Sequence, residues 1–430
     1  MNLIEIARKI IQEGTICDHC LGRQFAKLST GLGNYERGKS IKTYLTMEGD
    51  RLLKDENDDS LLKELAPISP IARRLTDIEP ENETCWVCLG LFDNLEQWAE
   101  RAVSEMDAFE YDNFLVGTKM SGLLSENEEI LWTESGTTYA EQLKSELNRE
   151  IGKRINVMTG KEVGFENPDI VVMLDLTKED VLLEVRSVYI YGRYRKHVRG
   201  IPQTRWPCRS CRGKGCQACE YTGKQYKESV DELISKQVIN KLQCIDTKFH
   251  GSGREDIDAL MLGDGRPFVI EAVRPTYRHF DINKLENDIN EYTNGKVEVT
   301  DLQNVSRDLI ETLKSSNADK VYKLKVTFKE PVSEEKLKSA INNLKGVDIE
   351  QRTPQRVSHR RGDLVRKRRV YDIELSELTD SHAVITVNCE GGLYVKELIS
   401  GDNRRTEPNL SNIIGTQADV TELDVINVNL

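Results

Sequence analysis

The chain has 430 residues, of which 38% are apolar and 31% are charged, and its formal net charge is −12. At about 150 residues per domain this length predicts two or three domains, and the sequence has no apolar run near the ~18 residues that a membrane span needs. Residues 1–14 have the pattern of an amphipathic helix rather than that of a signal peptide. These features argue against a secreted or membrane-anchored protein, so we expect a cytoplasmic monomer without a membrane partner.

The elements predicted after this first helix are one helix and two strands. Apolar residues recur at four-residue steps over 138–155, which predicts a helix. Apolar runs over 170–174 and 181–191 predict two strands. This mixture predicts an α+β accessory domain, which is followed by a long loop over 192–225.

Helices and strands alternate after residue 229, where Ser229 and Glu232 have the spacing of a capping box. Together with the N-terminal part, this alternation predicts a mixed-sheet α+β architecture with two main domains. The predicted elements are helices that begin at 229 and lie near 283–293, 304–314 and 333–344, and strands over 268–273, 321–328, 370–375 and 383–389.

Basic residues are concentrated in two segments of this acidic chain. Residues 186–227, the first basic island, hold 11 Lys and Arg against one acid, and residues 352–369, the second basic island, hold eight against one. A positive face on an acidic body is typical of a protein that binds a polyanion. Solvated loops are the alternative, but aromatic residues interleave the first island, and this favours a nucleic acid.

Eight of the ten cysteines form four C-x-x-C pairs, a spacing at which two thiolates reach one zinc ion. The first two pairs have similar contexts, C-D-H-C-L-G-R and C-W-V-C-L-G-L, in which the Leu-Gly step predicts a tight turn around a metal. A redox pair is the alternative, but neither pair has the strand-to-helix context of thioredoxin. The predicted ligands of a structural zinc are Cys17, Cys20, Cys85 and Cys88.

The other two pairs lie only four residues apart, in a segment that resembles half of the zinc-binding repeat of DnaJ-type chaperones. We expect a second structural zinc here, since disulfides belong in exported proteins. Pro207 also completes half of the zinc deaminase signature, but the sequence has no H-x-E, which excludes that enzyme. The predicted ligands of the second zinc are Cys208, Cys211, Cys216 and Cys219.

A dense group of charges follows small residues at 251–259, where the chain is G-S-G-R-E-D-I-D-A. Small residues allow a sharp turn that presents a side chain, and Asp256 is the candidate nucleophile. A carboxylate nucleophile has to stay ionised and desolvated, so we expect a fixed cation beside it. A solvated loop with a salt bridge is the commoner meaning of such a motif, and Glu255 and Asp258 are rival carboxylates.

Four long segments carry a family resemblance, and together with the N-terminal cysteine pairs they span nearly the whole chain. They are residues 192–206, 253–271, 351–370 and 391–410. On these segments the chain resembles the archaeal and eukaryotic tRNA pseudouridine synthases of the Pus-ten family. The cysteine pairs and the segment 114–120 are similar to the family's accessory region, which contains a THUMP-type RNA-binding domain.

The resemblance implies an α+β fold with two domains. Residues 1–175 would form the zinc-containing accessory domain, with its THUMP-type part at about 45–173. Residues 176–430 would form a pseudouridine synthase domain with a mainly antiparallel sheet and a Cys-rich loop at 192–225. The implied reaction isomerises uridine to pseudouridine at positions 54 and 55 of the tRNA T-loop. The protein would hold structural Zn²⁺, and the reaction would need no organic cofactor.

The resemblance also implies the site residues. Asp256 would be the nucleophile, Tyr322 would stack on the base, Tyr394 would contact the substrate, Lys396 would be the cation that pairs with Asp256, and Leu423 would wall the pocket. Tyr322 has apolar neighbours at every second residue, so a core tyrosine is the alternative. Lys396 follows Tyr394 by two residues on a strand-like segment, where a surface lysine is the alternative.

Two questions stay open at the level of sequence. Asp256 could attack the ribose C1′ or the base, or take part in a glycal route. A protein of another class, a non-catalytic zinc-containing RNA-binding protein or RNA chaperone, would use the same cysteines and basic islands.

Overall fold

Two α+β units make up the chain, Met1–Arg186 and Ser187–Leu430. The computed structural model describes residues 2–79, 84–315, 317–359, 361–379 and 381–429. The division expected after residue 175 lies ahead of a strand that pairs within the sheet of the first unit. Among the described residues, no helix is both long enough and apolar enough to cross a membrane.

The first unit is rich in helices. Its first helix is confirmed and begins with a capping box, because the side chains of Asn2 and Glu5 each accept a hydrogen bond from the other residue's backbone N–H. The described residues of this unit form a short 3₁₀ helix (Leu91–Asn94) and helices α1 (Leu3–Gln12), α2 (Asp18–Arg23), α3 (Asn34–Glu56), α4 (Ser60–Leu65), α5 (Pro70–Thr76), α6 (Leu95–Met106), α7 (Gly122–Ser135) and α8 (Leu143–Thr159).

Helix α8 begins later than the periodicity predicts. The periodicity predicts a helix over 138–155, but the carboxylate of Glu128 on α7 accepts a hydrogen bond of 2.6 Å from the backbone N–H of Leu143. This carboxylate caps the first turn of α8, so the preceding residues remain outside the helix.

A four-stranded sheet completes the first unit. Its strands are β1 (Asn113–Lys119), β2 (Glu162–Val163), β3 (Ile170–Asp175) and β4 (Asp180–Val185), in the order β2-β1-β3-β4. The first three are parallel, and β4 is antiparallel to β3. Apolar side chains of β1 and β3 and of α6, α7 and α8 share one core with the N-terminal helices. The predicted strand over 170–174 is confirmed.

A large sheet forms the centre of the second unit. Its order is β13-β10-β11-β12-β9-β14-β7-β5-β8, and β6 pairs with β7. Among the described pairs only β7 with β14 is parallel, so the sheet is mainly antiparallel, as predicted. Its strands are β5 (Val188–Lys196), β6 (Asp246–Gly251), β7 (Leu260–Val273), β8 (Val297–Val305), β9 (Asp319–Phe328), β10 (Asp348–Arg352), β11 (Val365–Leu378), β12 (Ala383–Cys389), β13 (Thr406–Glu407) and β14 (Ala418–Asn429).

The helices of the second unit pack on this sheet around a large apolar core. Ser229 caps the predicted helix by accepting from the backbone N–H of Glu232, while its hydroxyl donates to the Glu232 carboxylate. The described residues of this unit form helices α9 (Val230–Leu242), α10 (Ile282–Thr293), α11 (Asp308–Ser315), α12 (Glu334–Asn342), α13 (Val395–Ser400) and α14 (Leu410–Ile414), and 3₁₀ helices over Gln217–Cys219 and Gln355–Val357.

Two predicted boundaries differ from the structure at the start of this unit. The strand predicted over 181–191 is two strands, β4 and β5, which belong to different sheets. The loop predicted over 192–225 begins only after Lys196, because residues 192–196 continue β5 and pair with β7 and β8.

Candidate active site

The loop between β6 and β7 carries the predicted nucleophile, and buried groups hold it in place. Gly253 takes a left-handed conformation with φ +72°, which glycine adopts without strain. Its carbonyl accepts a hydrogen bond of 3.0 Å from Gln203 Nε2. The buried Arg266 donates to the carbonyl of Ser252 at 2.7 Å. The loop is therefore fixed to the body of the unit on both sides of the turn.

Glu255 lies beneath this loop and anchors it. Its side chain is fully buried, and Oε2 accepts from Arg266 Nε at 2.9 Å and from the hydroxyl of Tyr194 at 2.8 Å. Burial raises the pKa of Tyr194, and the charge of Glu255 raises it further, so this hydroxyl stays protonated and donates. Glu255 thus anchors the loop from inside the fold, whereas Asp256 is the more exposed carboxylate of the two.

Asp256 points into a pocket and has two cations beside the same oxygen. Lys396 Nζ lies 3.4 Å from Oδ2, and Arg356 Nη1 lies 3.5 Å from it. Lys396 also donates to Asp258 Oδ2 at 3.3 Å. The carboxylate is 39% exposed. The expected fixed cation is present, but the expectation of a desolvated carboxylate is wrong, because charged side chains and solvent surround it.

The segment that carries Tyr394 and Lys396 is not the expected strand. Tyr394 caps α13 and Lys396 lies in its first turn. Gln351 on β10 fixes the start of this helix, because its side chain accepts from Tyr394 N at 2.8 Å and donates to Tyr394 O at 3.0 Å. Both predicted side chains still line the Asp256 pocket.

Tyr322 and Leu423 complete the predicted set on the neighbouring strands β9 and β14. Tyr322 pairs in register with Val387 and Val425, and it packs against the apolar core. Burial raises the pKa of the Tyr322 hydroxyl, so it is protonated at neutral pH. The structure therefore brings all five predicted residues to one pocket of about 560 Å³.

This pocket is strongly basic. Arg361 donates to the hydroxyl of Tyr394 at 3.0 Å, and its guanidinium lies 5.9 Å from the centre of the Tyr394 ring. From the sequence, Arg356 and Arg361 belong only to the second basic island, because nothing in their spacing shows that they face Asp256. Besides the five predicted residues, the charged side chains on the wall are Arg254, Glu255, Arg266, Lys314, Lys320, Arg356 and Arg361.

Many cations of the two basic islands have carboxylate partners. In the first island these are Arg195, Lys196, Arg199, Arg205 and Lys224. In the second they are Arg352, Arg356, Lys367, Arg368 and Arg369. Within the described part of the chain, four exposed cations of the first island have no ion pair, namely Arg209, Arg212, Lys214 and Lys227.

The four N-terminal cysteines form one cluster, called here the buried cluster. Their sulfur atoms all lie within 4.8 Å of one another, and Cys17 Sγ lies 3.7 Å from Cys88 Sγ. Four sulfurs at 2.3 Å from one tetrahedral zinc would lie about 3.8 Å apart, so this arrangement fits the metal. All four thiols are free of disulfides.

A buried charged network adjoins the buried cluster. Arg23 has no exposed side-chain area, and its Nη1 donates to Cys20 Sγ at 3.5 Å and to Glu146 at 3.2 Å. His19 contacts the same carboxylate at 2.7 Å and stacks on Phe92. A guanidinium so close to sulfur offsets the negative charge of a tetrathiolate.

The glycines after the first two cysteine pairs have different roles. Gly90 has φ +78° and makes the predicted turn. Gly22 lies inside α2, where a Cβ would meet the carbonyl oxygen of Asn34 at 1.9 Å. The turn expected at Gly22 is therefore wrong, and this glycine instead allows close packing of α2 on α3.

The second four cysteines form a local cluster between β5 and α9, called here the loop cluster. Their sulfurs also lie within 4.8 Å of one another, with Cys208–Cys216 at 3.9 Å and Cys211–Cys219 at 3.8 Å. Backbone N–H groups of Gly215 and Gly223 each donate to a cluster sulfur at 3.2 Å. Such donors stabilise thiolates, so this geometry also fits a metal.

Comparison with known proteins identifies the family. The model described as "Pus10, C-terminal" matches residues 189–429, and the model "Pus10 THUMP domain, archaeal" matches residues 98–175. The chain is 51% identical to the "tRNA pseudouridine synthase Pus10" of Methanothrix thermoacetophila, over 99% of this chain and 94% of that protein. The chain belongs to the Pus10 family. Its predicted family and its THUMP domain are thus confirmed.

Other Pus10 proteins match over similar lengths. Those of Halorubrum lacusprofundi and Methanocaldococcus jannaschii are each 41% identical, over 100% and 99% of this chain and 96% and 95% of those proteins. Among solved structures, a Cbf5-Nop10-Gar1 complex matches at a TM-score of 0.30 and 17% identity, over 46% of this chain and 45% of that chain. Overlap at that score adds nothing to the family assignment.

Proposed function

We propose that this chain isomerises uridine to pseudouridine at positions 54 and 55 of the tRNA T-loop, with Asp256 as the nucleophile. The coarser assignment, pseudouridine synthesis, rests on the relatives named tRNA pseudouridine synthase. The observation that supports the choice of nucleophile is Asp256 itself, which reaches the pocket between Lys396 and Arg356 on a loop held by buried groups. The positions 54 and 55 are taken from the family resemblance.

The reaction conserves composition and redox state. The bond between the ribose C1′ and N1 of uracil breaks, a bond from C1′ to C5 forms, N1 gains a proton and C5 loses one. Asp256 attacks the nucleotide as a carboxylate and is released again once the bond from C1′ to C5 has formed, and Lys396 holds it in position. No external donor is needed, which agrees with the lack of a dinucleotide or phosphate-loop motif.

The aromatic and apolar walls hold the base while it is detached. Tyr322 presents a ring from β9, Tyr394 presents one from the start of α13, and Leu423 closes the wall from β14. Aromatic rings support a splayed base by stacking, and this is sequence-tolerant. The protonated hydroxyl of Tyr322 is a donor inside the pocket.

Binding of the RNA has to offset the cost of taking the uridine out of its stack, which is a few kcal/mol. We assign this binding of RNA to the basic side chains without carboxylate partners, foremost Arg209, Arg212 and Lys214. The THUMP domain at 98–175 supplies a second RNA contact. The affinity of the protein for tRNA should therefore fall as the salt concentration rises.

We also assign a structural Zn²⁺ to each Cys₄ cluster. Zinc binding would hold the cysteine pairs together and so contribute directly to folding. Neither cluster lines the Asp256 pocket, so neither metal takes part in the proposed reaction.

The decisive experiment maps pseudouridine in a tRNA transcript after treatment with the purified protein. Carbodiimide-dependent primer-extension stops are expected at positions 54 and 55 with the wild-type protein. The variant Asp256→Asn should lower the rate by at least about a thousandfold, because the covalent route loses its nucleophile, while tRNA binding is retained.

Two variants sharpen this test. Asp264→Asn changes an exposed carboxylate away from the pocket and should keep the wild-type rate. Asp258→Asn removes the rival carboxylate that shares Lys396, and its loss should be much smaller than that of Asp256→Asn. Binding without any pseudouridine in the wild type would instead support the non-catalytic RNA-binding protein.

A further inference from the structure

One arginine of the second basic island makes contacts that set it apart from its neighbours. Arg356 has two carboxylates within reach, Glu397 and Asp256. Its Nε donates to Glu397 Oε1 at 2.6 Å and its Nη2 to Glu397 Oε2 at 3.4 Å. Its remaining end, Nη1, lies 3.5 Å from Asp256 Oδ2. The guanidinium therefore bridges a buried carboxylate and the proposed nucleophile.

The Glu397 side chain is only 6% exposed, so it holds the arginine from inside the unit. Burial by itself would lower the pKa of Arg356, but Glu397 and then Asp256 raise it overall, so the guanidinium keeps its charge. A two-point contact of a guanidinium with a carboxylate also fixes the direction of its free N–H groups. Those groups are aimed at the pocket.

The other cation at Asp256 is less firmly committed to it. Lys396 Nζ lies 3.4 Å from Asp256 and 3.3 Å from Asp258, so its charge is divided between two carboxylates. Asp258 is 71% exposed and so lies on the solvent-facing part of the loop. A lysine ammonium is also a point charge that imposes no direction on its partner.

We infer that Arg356 is a second positioning residue for the proposed reaction, which orients Asp256 for attack, and that Glu397 in turn positions Arg356. The inference rests on the proposed function and adds to it. Lys396 and Glu397 are neighbours on α13, so one helical turn would control both cations of the nucleophile.

The geometry also explains why this arginine is not available as a phosphate contact. Its charge is already shared by two carboxylates, and its guanidinium lies 6.0 Å from the centre of the Tyr394 ring. A side chain held at both ends gives orientation rather than long-range attraction for RNA. Its loss should therefore affect the rate of the chemical step and leave tRNA affinity unchanged.

The test measures single-turnover pseudouridine formation with saturating enzyme, together with the Kd for the tRNA. Arg356→Ala should lower the rate roughly tenfold to a hundredfold, the range expected for one charge-assisted contact, with the Kd changed by less than about twofold. Added guanidinium should restore part of the rate of Arg356→Ala but none of the rate of Asp256→Asn. Arg356→Lys should retain more activity than Arg356→Ala.

Glu397→Gln keeps the shape of the anchor and removes its charge, so it should lower the rate by less than Arg356→Ala and also leave the Kd unchanged. Lys345→Met, which removes a lysine paired with Asp372 elsewhere in this unit, is the control and should keep the wild-type rate. Retained tRNA binding shows that each variant is folded. If Arg356→Ala does not fold, Arg356→Lys and Glu397→Gln test the inference in its place.

Three outcomes would overturn the inference alone and leave the proposed function standing. An unchanged rate in Arg356→Ala would show that the contact with Asp256 does nothing. A raised Kd with an unchanged saturated rate would make Arg356 a phosphate ligand instead. A lowered rate that guanidinium fails to restore would point to a structural role. Absence of pseudouridine with the wild-type protein would overturn the proposed function itself, and this inference with it.

Discussion

The two Cys₄ clusters have the same ligands but very different surroundings. The buried cluster joins cysteine pairs from distant parts of the first unit, and its sulfurs belong to the main apolar core of that unit. The loop cluster closes within residues 208–219 and lies apart from the core of the second unit. The same chemistry therefore holds a domain together in one place and shapes a surface loop in the other.

The basic side chains beside the two clusters also differ in their exposure and pairing. Beside the buried cluster, Arg23 has no exposed side-chain area and is paired with Glu146, so its charge serves the fold. On the loop cluster, Arg209, Arg212 and Lys214 are exposed, and no ion pair is described for them. A zinc cluster in a core has to neutralise its own charge, whereas one on a loop can present cations to a partner.

The largest expected effect is on the Tm of the protein, and it should differ between variants of the two clusters. Cys20→Ser removes a fully buried ligand and should lower the Tm of the first unit by roughly 10 °C, equivalent to about 4 kcal/mol, with loss of one zinc per chain. Cys211→Ser should remove the other zinc but leave the calorimetric transitions within about 2 °C of wild type. Scanning calorimetry and metal analysis check both.

Cys244→Ser, at a buried cysteine outside both clusters, measures the cost of burying a hydroxyl and should leave both zinc ions bound. Equal Tm losses in Cys20→Ser and Cys211→Ser would contradict the division into a core cluster and a loop cluster.

The next effect concerns the loop cations. Replacing Arg209, Arg212 and Lys214 together by Gln should weaken tRNA binding by about 30- to 100-fold near physiological salt and reduce the slope of log affinity against log salt by about 2–3. Filter binding across a salt series measures both quantities. The reason is that each unpaired cation releases counterions from one phosphate.

A charge-matched control replaces Lys63, Lys338 and Lys345 by Gln, since all three are paired with carboxylates. This variant should bind tRNA within about twofold of wild type. A similar loss in both triple variants would mean that net charge, and not the loop, governs affinity.

The loop cluster could be predicted from the sequence because all its ligands lie close together in the chain. Spacing is enough to group Cys208 with Cys219, since their two C-x-x-C pairs lie only four residues apart and can close one site. Asp256 and Lys396 are 140 positions apart, and their pairing was predicted only through the family resemblance. Arg356 was missed as a neighbour of Asp256 because β9, β12 and β14 have to pair before these loops meet.

Predictions from local sequence patterns were wrong where tertiary packing determines the conformation or the pairing of a residue. Leu-Gly after Cys20 has the same letters as Leu-Gly after Cys88, yet only the second makes a turn. The first lies inside α2, where α3 packs against it closely enough to exclude any Cβ. Likewise, a count of basic residues predicts a positive face, but Arg199 and Arg205 are neutralised by acids that lie far away in sequence.

The smallest expected effect tests whether the loop cluster contacts bases as well as phosphates. Tyr221 is 77% exposed on this loop, whereas the aromatic ring beside the buried cluster, Phe92, is 6% exposed and stacked on His19. Tyr221→Ala should weaken tRNA binding about five- to tenfold, because stacking on a base is worth about 1–3 kcal/mol. Tyr221→Phe keeps the ring and should bind as wild type. Since stacking involves no counterions, the salt slope should stay the same in both variants, and a changed slope in Tyr221→Ala would show that the loss comes from displaced cations instead.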